Sequence, residues 1–204
     1  MVIRSVDADD RKVDRMETQD RNELLQLLMT KSVCRGQFTL ASGAQSDLYI
    51  DARLTTFDPG GAVLLGRVGW RLVKETAAQR QVQVDAIGGL TLGADPVALS
   101  IGIAARLDDP SSHIQVFTVR KEAKGHGRQK RIEGNFAEGN SVVVVDDVIT
   151  TGGSTLKAID AIKEAGGKIA FVLVLMDRQE GGRGAIEERG YPVVSLFTRA
   201  DLPE

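Results

Sequence analysis

An acidic pair, Asp146 and Asp147, ends an unbroken valine run and is followed at once by Val148, Ile149, Thr150, Thr151, Gly152, Gly153, Ser154 and Thr155. The two glycines allow a close backbone turn. Successive N–H groups and the hydroxyls of Thr150, Thr151, Ser154 and Thr155, set where a helix starts, make a cradle for a phosphate monoester. One step earlier, the paired carboxylates are placed to accept hydrogen bonds from adjacent sugar hydroxyls. The ligand this implies is a ribose 5-phosphate. A strand, an acidic pair and a glycine turn also make an ordinary strand-to-helix connection, so the cradle means a site only if other segments agree. No glycine loop ends in Gly-Lys-Ser or Gly-Lys-Thr, and Gly125-His126-Gly127 lacks the third glycine of a dinucleotide fingerprint.

A second segment does agree. Arg120, Lys121, Glu122, Ala123, Lys124, Gly125, His126, Gly127, Arg128, Gln129, Lys130 and Arg131 have no apolar periodicity and are mostly cationic. On composition alone this is a solvated surface loop. Glycines flanking His126, with Lys121 and Lys124 three apart, favour a lid that closes over an anion such as pyrophosphate.

Regular elements must hold these loops. Segments 82–87, 114–119, 142–145 and 169–175 read as strands, and 95–107 and 155–165 as helices. Strands alternating with helices mean a parallel sheet covered on both faces, with ligands at the carboxyl ends of its strands. Upstream, the Asp20 cap with Glu23 and a leucine face opens a short helix. The segment 38–53 reads as a turn feeding a strand or hairpin, and Val63, Leu64, Val68, Leu72 and Val73 mark a second helix. Residues 1–19, charged and without an apolar stripe, are expected to form a flexible arm before a single domain spanning 20–204.

The bulk composition excludes several classes. At 204 residues, with 42% hydrophobic and 26% charged, the chain has the balance of one folded domain. A net charge of −2 argues against a nucleic-acid binder. The single Cys34 forms no intramolecular disulfide and is expected to be plain packing. No apolar run suits a membrane span and the N-terminus is unlike a signal peptide, so the expected location is the cytoplasm.

At 142–155 the chain resembles the type I phosphoribosyltransferases, whose signature is this strand, acidic pair and threonine-glycine loop. The Arg120-Lys121-Glu122-Ala123-Lys124 segment with His126-Gly127 narrows the resemblance to the orotate phosphoribosyltransferase family, as do 38–51 and Asp177-Arg178-Gln179-Glu180. The resemblance implies an α/β fold, a central mostly parallel sheet flanked by helices. A small N-terminal hood (about 20–56), a core (about 57–204) and a flexible catalytic loop complete it. The implied reaction joins orotate to 5-phosphoribosyl 1-pyrophosphate (PRPP), giving orotidine 5'-monophosphate and pyrophosphate.

By the same resemblance, PRPP is held by Arg120, Lys121, Lys124, His126, Asp146, Asp147, Val148, Ile149, Thr150, Thr151, Gly152, Gly153 and Ser154, with Lys124, His126 and Asp147 catalytic. Orotate falls to Thr150, Arg178, Tyr49 and Ile50; a planar guanidinium suits a planar ring bearing a carboxylate. Mg2+ would arrive with PRPP near Asp146 and Asp147, with no protein ligand assigned. A loop shared across subunits implies a homodimer. Two departures stand out: Ala41 and Gly93 occupy positions where many members carry Lys, and Arg128, Lys130 and Arg131 are expected to compensate. The rival readings are a purine phosphoribosyltransferase and a non-catalytic nucleotide sensor on the same fold.

Overall fold

The valine run becomes the centre of the molecule. In the computed structural model, which describes the backbone of residues 8–39, 45–122 and 131–203 and the side chains of 18–38, 47–122 and 131–203, β6 (Ser141–Ile149) pairs in parallel with β3 (Ala86–Leu90) and β7 (Lys168–Asp177). The six-stranded sheet has the order β5-β4-β3-β6-β7-β8, completed by β4 (Gln115–Val119), β5 (Ile132–Gly134) and β8 (Val193–Thr198). Only the β4–β5 pair is antiparallel.

Side chains on a strand alternate between faces, so an unbroken apolar run must be buried on both. Val143 and Val145 accordingly join one core with Phe171, Leu173 and Leu175, while Val142 and Val144 join the other with Val172 and Val174. The first core is roofed by α1 (Ala8–Lys31), α3 (Pro59–Arg80) and α4 (Ala94–Asp108), which contribute Leu24, Leu28, Leu65, Val73, Val97 and Ile101. The second is closed by α5 (Gly153–Glu164) and α6 (Gly182–Glu187) through Ala158, Ile159, Ile162 and Ile186.

Ahead of the sheet, β1 (Val33–Thr39) and β2 (Gln45–Ile50) form a separate antiparallel hairpin, followed by the one-turn α2 (Arg53–Thr56). Asp58 then caps α3, accepting from the Gly61 N–H at 2.9 Å with Pro59 in the first turn. The hairpin fulfils the reading of 38–53.

Three expectations need correction, the first being Cys34, which lies exposed on β1 rather than packed in the core. Residues 8–19 are helical, because α1 starts at Ala8 rather than near Asp20. Arg, Lys, Met, Glu and Gln are good helix formers, and the lack of an apolar stripe means only that a helix is not packed, not that it is absent. The strand expected at 82–87 lies at Ala86–Leu90, shifted toward the glycines because it pairs with both neighbours there. The edge strand β5 and the last strand β8 carry too little local pattern to stand out, and their partners define them.

Candidate active site

Both acidic side chains sit at the carboxyl end of the central strand. Asp146 is 5% exposed and accepts the Thr155 hydroxyl at 2.8 Å on Oδ2 and the Asp147 N–H at 3.1 Å on Oδ1. Burial, and then the adjacent Asp147 charge, push its carboxyl up to about 7. Burial also raises Asp147, opposed by hydrogen bonding from the Val148 N–H (2.8 Å) and by the nearby Arg53 charge. Burial favours a partner that compensates the carboxylates, such as sugar hydroxyls or a cation.

The candidate phosphate loop, 150–154, follows directly. Gly152, the N-cap of α5, lies at φ +78, the left-handed region, and no side chain caps the helix there, which leaves its first-turn N–H groups without a side-chain cap. Thr151, Gly153 and Ser154 are exposed there. The loop is held from behind by α6: the Gly182 N–H donates to the Thr150 carbonyl at 2.8 Å. A β-carbon on Gly182 would meet Thr150 O at 2.5 Å and Gly152 N at 2.7 Å, so only glycine permits this approach. The cradle therefore depends on a helix far along the chain.

The loop after β3 closes another side. Asp95, which the sequence marks only as a helix start, accepts Thr91 Oγ1 at 2.6 Å and the Thr118 hydroxyl, tying that loop to β4. A β-carbon on Gly93 would stand 2.3 Å from Asp147 Oδ1.

Arg178 reaches the same region from the end of β7. It is 4% exposed, pairs with Glu180 at 2.6 Å and donates from Nη2 to the Leu48 carbonyl at 3.1 Å. Its own N–H donates to the Ile149 carbonyl at 3.1 Å, placing it next to the phosphate loop. The hairpin is thus docked over the carboxyl ends of the sheet. Asp177, fully buried, orders this turn by accepting the Gln179 N–H and Arg183 Nε, each at 2.8 Å.

The residues named from the sequence separate by geometry. Tyr49 is exposed beside Leu48, whereas the Ile50 side chain is packed in the core, so Ile50 offers backbone alone. Ile149 is likewise a core side chain. Arg120, at the end of β4, pairs with Glu133 at 3.3 Å, and Lys121 is exposed. Lys124, His126, Arg128, Lys130 and Ala41 lie outside the described residues. Asp95 was not singled out as a site residue, and no spacing in the sequence pointed to its two threonine partners.

Comparison with known proteins fits this arrangement. Residues 90–197 match the phosphoribosyl transferase domain family. The chain is 43% identical over 186 residues to an orotate phosphoribosyltransferase of Aquifex aeolicus, covering 90% of this chain and 97% of that one. The crystal structure of the Mycobacterium tuberculosis orotate phosphoribosyltransferase with Fe(III) dicitrate superposes with a TM-score of 0.75 at 40% identity, over 91% of this chain and 99% of that one. The same M. tuberculosis enzyme in complex with PRPP gives a TM-score of 0.70 at 37% identity, over 89% and 98%. With the acidic pair, the phosphate loop and the buried arginine gathered at one end of a mostly parallel sheet, this chain belongs to the phosphoribosyl transferase family and, within it, to the orotate phosphoribosyltransferases.

Proposed function

We propose that the protein transfers the phosphoribosyl group of PRPP to orotate, forming orotidine 5'-monophosphate and releasing pyrophosphate. The observation that carries this reading is the placement of buried Arg178 beside the 149–151 turn that links the acidic pair to the phosphate loop. One cleft then holds a site for a sugar phosphate and a planar cation for an acid-bearing ring.

In this reading the loop at 150–154 binds the 5-phosphate through first-turn N–H groups, and Asp146 and Asp147 accept the ribose hydroxyls. Arg178 and Tyr49 orient orotate so that its ring nitrogen faces the anomeric carbon. The C1–O bond to pyrophosphate breaks as the C1–N bond forms and the ring N–H proton is released, taken up by the pyrophosphate or by water, so positive charge grows on the sugar and negative charge on the departing diphosphate. Arg120, Lys121 and the lid residues Lys124 and His126 supply the cations that stabilise the latter.

The residues also fit a metal brought in with the donor. Among the described residues no cluster of three or more ligating side chains occurs, and two buried carboxylates with raised pKa border the cradle. Mg2+ commonly binds through one or two carboxylates plus substrate phosphates, and when bound it would neutralise diphosphate charge. Asp146 and Asp147 are the residues that would hold it.

We assign the working unit as a homodimer with the 120–131 loop shared between subunits. Support comes from α4, where Leu99, Ile103 and Leu107, each more than half exposed, recur every four residues along one helix face. No helix among the described residues is long and apolar enough to cross a membrane.

The test is loss of orotate absorbance with PRPP and magnesium, repeated with adenine, guanine, hypoxanthine and uracil as competitors. Turnover of a purine but not of orotate would replace this reading with the purine one. Nucleotide binding without any turnover would point to a sensor.

A further inference from the structure

The helix that backs the 150–154 loop is only six residues long, too short to hold its place without tertiary anchors. One anchor is the Gly182 N–H, which donates to Thr150 O at 2.8 Å, and another is Ile186, buried in the second core. A third is Arg183. Its Nε donates to Asp177 Oδ2 at 2.8 Å, its Nη2 to Ser195 Oγ at 2.9 Å and its Nη1 to the Val193 carbonyl, with Glu187 3.5 Å from Nη1. One planar guanidinium thus fastens α6 to the end of β7 and to β8.

The pair with Asp177 differs from a surface ion pair. Asp177 is only 1% exposed, and a buried carboxylate stripped of its cation is strongly unfavourable. Its other oxygen has a separate task. Oδ1 accepts the Gln179 N–H at 2.8 Å, and Gln179 stands at φ +56, a left-handed conformation that a residue with a β-carbon adopts only when its surroundings enforce it. The same turn carries Arg178, buried, with Nη2 donating to the Leu48 carbonyl at 3.1 Å. The two oxygens of one carboxylate therefore join the turn bearing Arg178 to the helix bearing Gly182.

We propose that Arg183 is a positioning residue for both halves of the cleft. Through Asp177 it holds the 177–181 turn that aims Arg178 at the acceptor, and through α6 it holds the 150–154 loop that receives the 5-phosphate. This inference rests on the phosphoribosyl-transfer reading. Arg183 acts through these groups and is assigned no contact with either substrate.

Steady-state kinetics of the full chain with magnesium, varying orotate and PRPP separately at a temperature where thermal melts show each variant folded, tests it. Arg183→Met should raise KM for both substrates by about tenfold, the scale of a small displacement from productive geometry. Arg189→Met is the comparison. Arg189, just past the far end of α6, pairs with Asp160 of α5 at 2.6 Å, and losing that exposed ion pair should leave both KM values unchanged. If Arg183→Met melts early because Asp177 is left bare, Arg183→Lys keeps a cation for Asp177 and gives up the fork to β8; it should hold the orotate KM near wild type and still raise that for PRPP. A wild-type KM for PRPP in whichever Arg183 variant folds, or an equal rise in Arg189→Met, would overturn the role of Arg183 while leaving the transfer reading in place. A wild-type protein that converts no orotate with PRPP would overturn both.

Discussion

Thr155, in the first turn of α5, donates its hydroxyl proton to Oδ2 of Asp146 at 2.8 Å, joining the far end of the phosphate loop to the first carboxylate of the acidic pair. Both groups are buried, so neither has water as an alternative partner. Thr155→Val keeps the shape and removes the donor. The bond favours the ionised form of Asp146, so the variant should lose about 1–3 kcal/mol, more at pH 8 than at pH 5.5. Thermal melts at the two pH values measure it; an equal loss at both would show that the bond is indifferent to ionisation.

The acidic pair should also set a pH dependence of its own. The folded pKa of Asp146 is raised to about 7, chiefly by burial and then by the Asp147 charge. A carboxyl with a raised folded pKa binds more protons folded than unfolded. Its stabilising contribution is therefore full below the ordinary value of 3.8 and is lost as pH rises through about 7. Asp47, Asp51, Asp58, Asp108, Asp109 and Asp201 are shifted the opposite way, so their contribution is lost only in acid and they stay ionised from pH 5.5 to 8. Asp146→Asn should melt higher than wild type at pH 8, with a flatter profile, and should bind PRPP less tightly. A wild-type slope retained by Asp146→Asn would sink this assignment.

Gly182→Ala tests whether α6 shapes the phosphate loop. Its β-carbon would press on Thr150 O and Gly152 N, at 2.5 and 2.7 Å. The loop must move, and KM for PRPP should rise on the order of tenfold or more, since small displacements from productive geometry are costly. Steady-state kinetics would read this, and an unaltered KM would mean that α6 gives way instead.

Lys124→Ala addresses the lid. By the magnitude typical of losing one group that stabilises transition-state charge, turnover should fall by roughly 10²–10³-fold while the protein keeps its melting temperature. Near-normal kcat would remove Lys124 from the catalytic role.

How far the site could be read in advance depends on how local each part is. Asp146 to Thr155 are contiguous, and a strand, a turn and a helix start are written in neighbouring residues, so that local layout was recognisable and its residues lie in the expected elements. Tyr49 and Ile50 were indistinguishable in sequence. Strand alternation in β2, with Leu48 and Ile50 buried and Tyr49 exposed, separated them. The charged start of α1 misled for a different reason, since polarity reports whether a helix is packed and not whether it forms.

The sequence by itself determined the alternating α/β layout, the acidic pair with the glycine turn that follows it, and the family resemblance, because each rests on periodicity or on motifs a few residues long. Only the tertiary structure decided that Arg178 would fasten the hairpin at Leu48, that Asp95 would tie the β3 loop to Thr118, and that Gly93 would lie against Asp147. Those relationships join residues distant in the chain, and they arise from how the hairpin and helices pack over the carboxyl ends of one sheet, which no local pattern encodes.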